Sequence, residues 1–343
     1  MSTARPAARL EDVARLAGVS AKTVSNVVND YVHVRPTTRA KVQDAIELLG
    51  YRPNVLARNL KSGRSGVIAL ALPELDAPYF AELAHHVVRA AMKRGWTVLV
   101  DETGQIQDRA VRARERSAVA GIREHLIDGV ILNPLALDET DVERYGSVPL
   151  VLLGERLGSH LADHVAIDNE AAAAEATRHL ISTGRRRIAV VGAQPPPFGH
   201  SARLRLRGYR DALAEAGIRY DPALVVQVLD WRRQPGVAAA AQLLALPEPP
   251  DAVFCFNDLL ALGAVRGLTD AGVRVPEDMA MVGFDDIEES RYAVPSLTTV
   301  SPDKEAIARH AVERLARRLE HVASPPEEIT VGYTLQIRGS TGT

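Results

Sequence analysis

The sequence predicts an α/β protein: an N-terminal all-α helix-turn-helix headpiece followed by two doubly wound α/β lobes. Three observations predict it. Between residues 10 and 49, apolar side chains recur at helical spacing in short blocks. From Gly66 onward, short Val, Ile and Leu runs alternate with amphipathic helical stretches, the rhythm of parallel sheets with crossover helices. The charge also changes sign along the chain: 11 Lys+Arg against 5 Asp+Glu through Arg64, then 30 against 38, for −2 in all. A basic head on an acidic body points to nucleic acid at one end only.

In the first helix Val13, Leu16 and Ala17 lie at i, i+3, i+4. After Gly18-Val19-Ser20 the residues Val24, Val27 and Val28 repeat that spacing, so two short helices share one small core. Gly18 suits the tight turn because it lacks a Cβ, and Ser20 is placed to cap the second helix. That helix turns Ala21, Lys22, Ser25, Asn26 and Asn29 outward, short polar and cationic side chains able to reach base edges and phosphates in a major groove. Pro36 opens a third helix, with Val42, Ala45, Ile46 and Leu49 as its apolar stripe and Gly50 as its end. Residues 51–61 follow as a short helix capped by Asn54, too short to be stable alone in water.

In the body, Gly66–Leu72 is a strand, followed by a helix ending near Gly95. Strands at Thr97–Val100, Gly129–Leu132 and Pro149–Leu153 come next, with a helix rich in Arg and Glu among them. After Asp168 a second set repeats the pattern: a helix to Thr183, a strand at 187–191, a helix at 204–217, a strand at 224–229, a helix at 237–246, a strand at 252–256, a helix at 259–272, a strand at 280–284, and a last helix from Lys304 to about His321. Two lobes so alike predict a ligand cleft between them, at the carboxyl ends of the strands. No G-x-G-x-x-G follows a strand, and neither a P-loop nor a G-x-S-x-G elbow occurs, which leaves no readable catalytic set. Cys255, the one cysteine, excludes an intrachain disulfide and reads as a buried strand residue, in keeping with a reducing cytoplasm. His85 and His86 lack metal-ligand spacing, and neither a metal nor a cofactor is expected. No apolar run approaches the roughly 20 residues of a membrane helix, no signal peptide is legible, and residues 1–8 read as a tail without fixed structure.

The words DVARLAGVS, TVS, VVN, TRAKV, LGYRPN and LARNLKSGRSGVIAL resemble the LacI/GalR family of bacterial transcription regulators, and a more diffuse similarity runs to the C-terminus. The resemblance implies a DNA-binding headpiece over 1–53, a hinge helix and linker over 54–64, and over 65–343 a two-lobed effector-binding and dimerisation domain of periplasmic-binding-protein type. It implies a cytoplasmic repressor rather than an enzyme, a homodimer on near-palindromic double-stranded operator DNA. Ser20, Ala21, Lys22, Thr23, Ser25, Asn26 and Asn29, with Asn54, Arg58 and Leu60 in the hinge, then form the DNA-facing set. By motif position Leu60 is the leucine that wedges into the central minor groove, where an apolar side chain can unstack a flexible step and kink the duplex. Asn26 stands where the family commonly carries an arginine, so the operator code should differ.

For the effector, the strand ends and motifs nominate Asp76, Asn133, Glu155, Arg205, Trp231, Asn257 and Asp285. Capping the next helix is the competing role of the strand-end residues, above all Asp258 and Asp286, and core packing is that of Trp231. Planar Arg205 can fork two donors to neighbouring oxygens, Asn257 and Asp285 can pair with hydroxyls, and Trp231 can stack on an apolar sugar face. A sugar or glycoside that releases DNA is therefore expected, with a purine-type corepressor as one alternative and a solute-binding protein without DNA function as another. A dimer rather than a tetramer is expected, because Tyr333–Thr343 carries no apolar heptad.

Overall fold

The computed structural model describes residues 8–28, 31, 33–51, 64–105, 108–120, 127–144, 148–154, 162–195, 199–320 and 324–342. The chain forms two compact units, 1–65 and 66–343. In the first, helices α1 (Leu10–Ala17), α2 (Ala21–Val28) and α3 (Pro36–Leu49) each place one fully buried valine, Val13, Val24 and Val42, in a common core. Gly18 ends α1 in the left-handed region at φ 65°, and Ser20 Oγ accepts the Thr23 N–H at 3.2 Å, satisfying an otherwise orphan donor of α2. One expectation is corrected: Leu16 is half exposed, and the core face of α1 runs through Leu10, Val13, Ala14 and Ala17. A stripe of 3.6 period admits either set, and only the partner helices decide between them. The expected tail (1–8) lies outside the described residues but for residue 8, and the expected hinge helix (51–61) but for Tyr51.

The body is built on two sheets. The first has the order β2 (Thr97–Glu102), β1 (Val67–Leu72), β3 (Gly129–Leu132), β4 (Leu150–Leu153), β5 (Asp163–Ile167), β11 (Glu328–Val331), with every described pairing parallel. The second runs β7 (Val225–Gln227), β6 (Ile188–Ala193), β8 (Ala252–Cys255), β9 (Ala280–Phe284), β10 (Thr298–Pro302), with β12 (Tyr333–Gln336) antiparallel on β10. Helices α4 (Pro78–Met92), α5 (Val111–Ala120) and α6 (Glu139–Arg144) connect strands of the first sheet. Helices α7 (Asn169–Ser182), α8 (His200–Glu215), α9 (Arg233–Leu244), α10 (Asp258–Asp270) and α11 (Glu288–Tyr292) serve the second. The inner strands are buried along nearly their whole length because helices cover both sheet faces.

The last helix, α12 (Lys304–Leu319), corrects the sequence reading. Expected to finish the second lobe, it packs in the first, where Ile307, Ala311 and Leu315 join Ile68, Leu70, Leu83 and Ile131. The chain thus passes between the lobes at Asp168, at Asp303 and again at Gly332, between β11 and β12. Strands β10, β11 and β12 were not expected, since each is short and β11 and β12 are mostly half-buried or exposed.

Neighbouring helices of the second lobe approach backbone to backbone. A Cβ on Gly208 of α8 would lie 2.0 Å from the Glu170 carbonyl oxygen of α7, and one on Gly263 of α10 would lie 1.9 Å from the Arg233 carbonyl oxygen of α9. Neither helix can yield without moving its neighbour's main chain. Gly208→Ala is expected to destabilise the full chain by about 1 to 3 kcal/mol or more, read as a lower urea midpoint of tryptophan fluorescence. An unchanged midpoint would show that the α7–α8 approach is looser than drawn.

Candidate functional site

A cavity of about 210 Å³ lies between the lobes. It has room for one small ligand. Its walls come from the carboxyl ends of both sheets and from the first turns of the helices that follow.

Arg205, in α8, is the buried cation of this site. Its Nε donates to Asn169 Oδ1 at 2.8 Å, an Nη donates to the Phe256 carbonyl, and the guanidinium lies 3.4 Å from the centroid of the Phe284 ring. A buried charge needs such compensation from amide, carbonyl and π face. Part of the fork that sequence reasoning assigned to a ligand is thus committed to the protein.

Asp285 follows β9 with φ 111°, and Asp286 comes next with φ 47°, two successive non-glycine residues in the left-handed region. Strain of this kind persists only where surrounding contacts enforce it. Here Lys304 Nζ donates to both carbonyls, at 2.8 and 3.1 Å, and pairs with Glu82 of α4 in the other lobe. Burial pushes the Asp285 carboxyl up to about 8, against the pull of Arg205, while Asp258 pushes it further and Lys304 opposes.

Asn257 is the N-cap of α10: its Oδ1 accepts the Leu260 N–H at 2.9 Å, and its Nδ2 donates to the Trp231 carbonyl at 3.0 Å. Trp231 in turn donates from Nε1 to the Gly192 carbonyl at 3.0 Å and meets Phe256 edge to face. Its ring is a fixed wall of the cavity rather than buried core. Asn133, at the end of β3, lines the first-lobe side.

The structure therefore brings Asn133, Arg205, Trp231, Asn257 and Asp285 around one cavity. Asp76 is not among its walls: the side chain is 73% exposed and paired with Arg232, while Glu74, two residues earlier, faces the cavity. Glu155 lies outside the described residues. Asp258 and Asp286, for which capping the next helix is the competing role, cap neither helix: Asp258 accepts from Thr299 Oγ1, Ser290 Oγ and the Ile287 N–H, and Asp286 is bound by Arg338, Ser301 and Arg291. Both are structural. Asn169, Gln194 and Asp230 line the cavity without having been foreseen. For Asn169 a signal existed: Asp168 precedes it as the natural N-cap of α7 and does cap it through the Ala171 N–H, which frees the Asn169 amide to accept from Arg205.

Residues 9–54 match the model of bacterial regulatory proteins of the lacI family, and 177–341 match that of the periplasmic binding protein-like domain. The HTH-type transcriptional repressor PurR of Vibrio atlanticus is 32% identical over 322 residues, 91% of this chain and 92% of that protein. The chain belongs to the LacI family. Among solved structures, transcriptional regulator CelR in complex with cellobiose aligns at TM-score 0.72 and 35% identity over 98% of this chain and 100% of its own. The lac repressor dimer bound to operator and the anti-inducer ONPF aligns at 0.84 and 29% identity, again over 98% and 100%. As a LacI-family member the protein is a ligand-responsive, DNA-binding transcriptional regulator.

In the headpiece of this LacI-family chain, Ala21 and Lys22 are exposed on α2, with Ser25 and Asn26 partly so beside them. Thr23 Oγ1 and Ser20 Oγ are 2.9 Å apart, so these two hydroxyls serve the turn first. Asn29, Asn54, Arg58 and Leu60 lie outside the described residues. Among the described residues no helix is long and apolar enough to cross a membrane, and no group of His, Cys, Asp and Glu side chains is placed to hold a metal.

The raised Asp285 carboxyl has a consequence for pH. Folded Asp285 holds its proton to about 8 whereas an unfolded aspartate releases it near 3.8, so the stability it contributes is complete below 3.8, falls progressively as pH rises from there, and is fully lost once pH has passed 8. The melting temperature is expected to fall between about pH 5 and 8 and to level off above that, and Asp285→Asn to flatten the fall. Parallel curves for the two proteins would place the proton elsewhere.

Proposed function

We propose that this regulator is a cytoplasmic repressor that binds a near-palindromic operator as a homodimer, and that a neutral polyhydroxylated effector, a sugar or glycoside, binds in the interlobe cleft and releases it. The composition of the cavity carries the reading: carboxylates and amides from both lobes, the aromatic walls Trp231 and Phe284, and a buried guanidinium opposite the Asp285 carboxyl. Such a wall offers hydroxyls both donors and acceptors, and its carboxylates disfavour an anionic ligand. The cellobiose complex of CelR supports a saccharide, while the similarity to PurR supports a purine as second reading, since Trp231 would also stack on a base.

The DNA half of the proposal assigns base reading to Lys22, Ser25 and Asn26 of α2, with Ser20, Ala21 and Thr23 around them and Asn29, Asn54, Arg58 and Leu60 completing the contact. On this division residues 1–53 read DNA, 54–64 form the hinge and 65–343 bind effector and dimerise. Asparagine can bond adenine N6 and N7 together. Asn26→Ala should therefore relax the preference at one position per half-site, at about 1 to 3 kcal/mol, in a randomised-operator selection. Retained preference would remove Asn26 from the readers.

For the effector, a thermal-shift screen of sugars against nucleobases is decisive, because a ligand of the folded state alone raises the melting temperature. A rise with a sugar supports the first reading and a rise with a purine the second. Arg205→Ala is expected to keep operator affinity in the absence of ligand, by fluorescence anisotropy, and to lose the response to the compound that shifts the wild type. A retained response would take Arg205 out of the effector site.

A further inference from the structure

At the mouth of the cleft one guanidinium joins the two lobes. Arg232, between Trp231 and the start of α9, belongs to the second lobe; Glu74 and Asp76, beyond the end of β1, belong to the first. Arg232 grips Asp76 in bidentate fashion, Nη1 to Oδ2 at 2.9 Å and Nη2 to Oδ1 at 2.7 Å, and Nη2 also donates to Glu74 Oε2 at 2.6 Å. The side chains of Arg232 and Glu74 are only 24% and 18% exposed, so this is not a loose surface pair. Parallel charge-assisted bonds from one planar fork need both lobes in register, and a lysine could not reproduce them. Asp230 Oδ1 lies 3.8 Å from Arg232 Nε, a longer contact within its own lobe.

We infer that Arg232 is an interlobe latch: it holds the two lobes against each other and fixes the Glu74 carboxylate against the cavity. Glu74 faces the cavity and is held by Arg232, so one carboxylate serves both closure and the ligand wall. A ligand that opens the lobes must break three hydrogen bonds at this point, whereas one that completes the closed wall keeps them. The direction of the response is then set partly by whether the ligand competes with Arg232 for Glu74. This holds for a sugar or a purine alike, because the latch is made by the protein alone.

The test uses full-length protein without ligand, in a Trp96→Phe background, and reads acrylamide quenching of Trp231, the residue next to the latch in the cleft wall. Arg232→Gln should raise the Stern–Volmer constant about twofold or more as the closed fraction falls. The variant Glu74→Gln with Asp76→Asn, which alters only the opposite lobe, should raise it as much. Combining all three changes should add nothing, since both sides of one interaction are already gone. Arg232→Lys should fall between, and 1 M salt should move the wild type toward Arg232→Gln while leaving that variant unmoved. Small-angle scattering should show the matching increase in radius of gyration. Quenching unchanged across the set, or additive effects from the two sides, would overturn the latch. A failure of the sugar screen would leave this result standing, because no ligand enters it.

Discussion

The buried ammonium of Lys304 is the tie on which the geometry of the body depends. It heads α12, which packs in the first lobe, yet its Nζ bonds the carbonyls of Asp285 and Asp286 in the second and pairs with Glu82 in the first. An ammonium taken out of water needs oxygen atoms for its three donors, and here they come from both sides of the molecule. Two of them belong to a turn that no glycine relieves, so the contact that neutralises Lys304 also holds Asp285 in a backbone conformation a free chain would leave. Asp285 faces Arg205, and Arg205 rests on Phe284 and bonds Asn169 and the Phe256 carbonyl. Fixing one cation near a crossing point thus orders a line of side chains across the floor of the cleft.

That dependence explains what could and could not be read from the chain. The three headpiece helices and the inner strands were legible because each is a local pattern: a helical stripe with a glycine end, or an apolar run bounded by turns. Leu16 was misjudged because the spacing that selects Val13 and Ala17 selects it equally, and the choice rests on α2 and α3. Helix α12 was seen but assigned to the wrong lobe. Its sequence states that one face is apolar, and nothing local states which sheet that face will cover. Strands β11 and β12 flank Gly332 and take their identity from sheets built far earlier in the chain.

The cleft was legible to the extent that parallel sheets present their carboxyl ends together. Asn133, Arg205, Trp231, Asn257 and Asp285 were found by position after a strand or by motif, and their convergence follows from topology. What position could not supply is direction. Glu74 and Asp76 stand two residues apart after β1, and only the fold decides that Glu74 faces the cavity while Asp76 is mostly exposed. Arg232 carries no motif, since its meaning comes from partners 156 and 158 residues earlier. Ion pairs between distant segments leave almost no trace in spacing or periodicity.

The distribution of charge also bears on how such a body can change state. Its lobes are held internally by apolar cores made of Ile, Leu and Val, which tolerate little rearrangement, whereas Arg232 and Lys304 reach from one lobe to the other with charged groups. A buried ion pair adds little net stability, because desolvation offsets most of its Coulomb energy, but half of one is strongly unfavourable. Intermediate arrangements, with the lobes parted and the charges still dry, are therefore poor ones. Parting the lobes therefore has to hydrate the partly buried Arg232 and Glu74 as their pairing is lost. Apolar contact across the cleft would have been less sensitive to direction and would have let the lobes slide; the ions make closure depend on register. A ligand whose polar groups replace or complete those pairings can then bias the balance by a few kilocalories per mole, the scale on which coupling between distant sites operates.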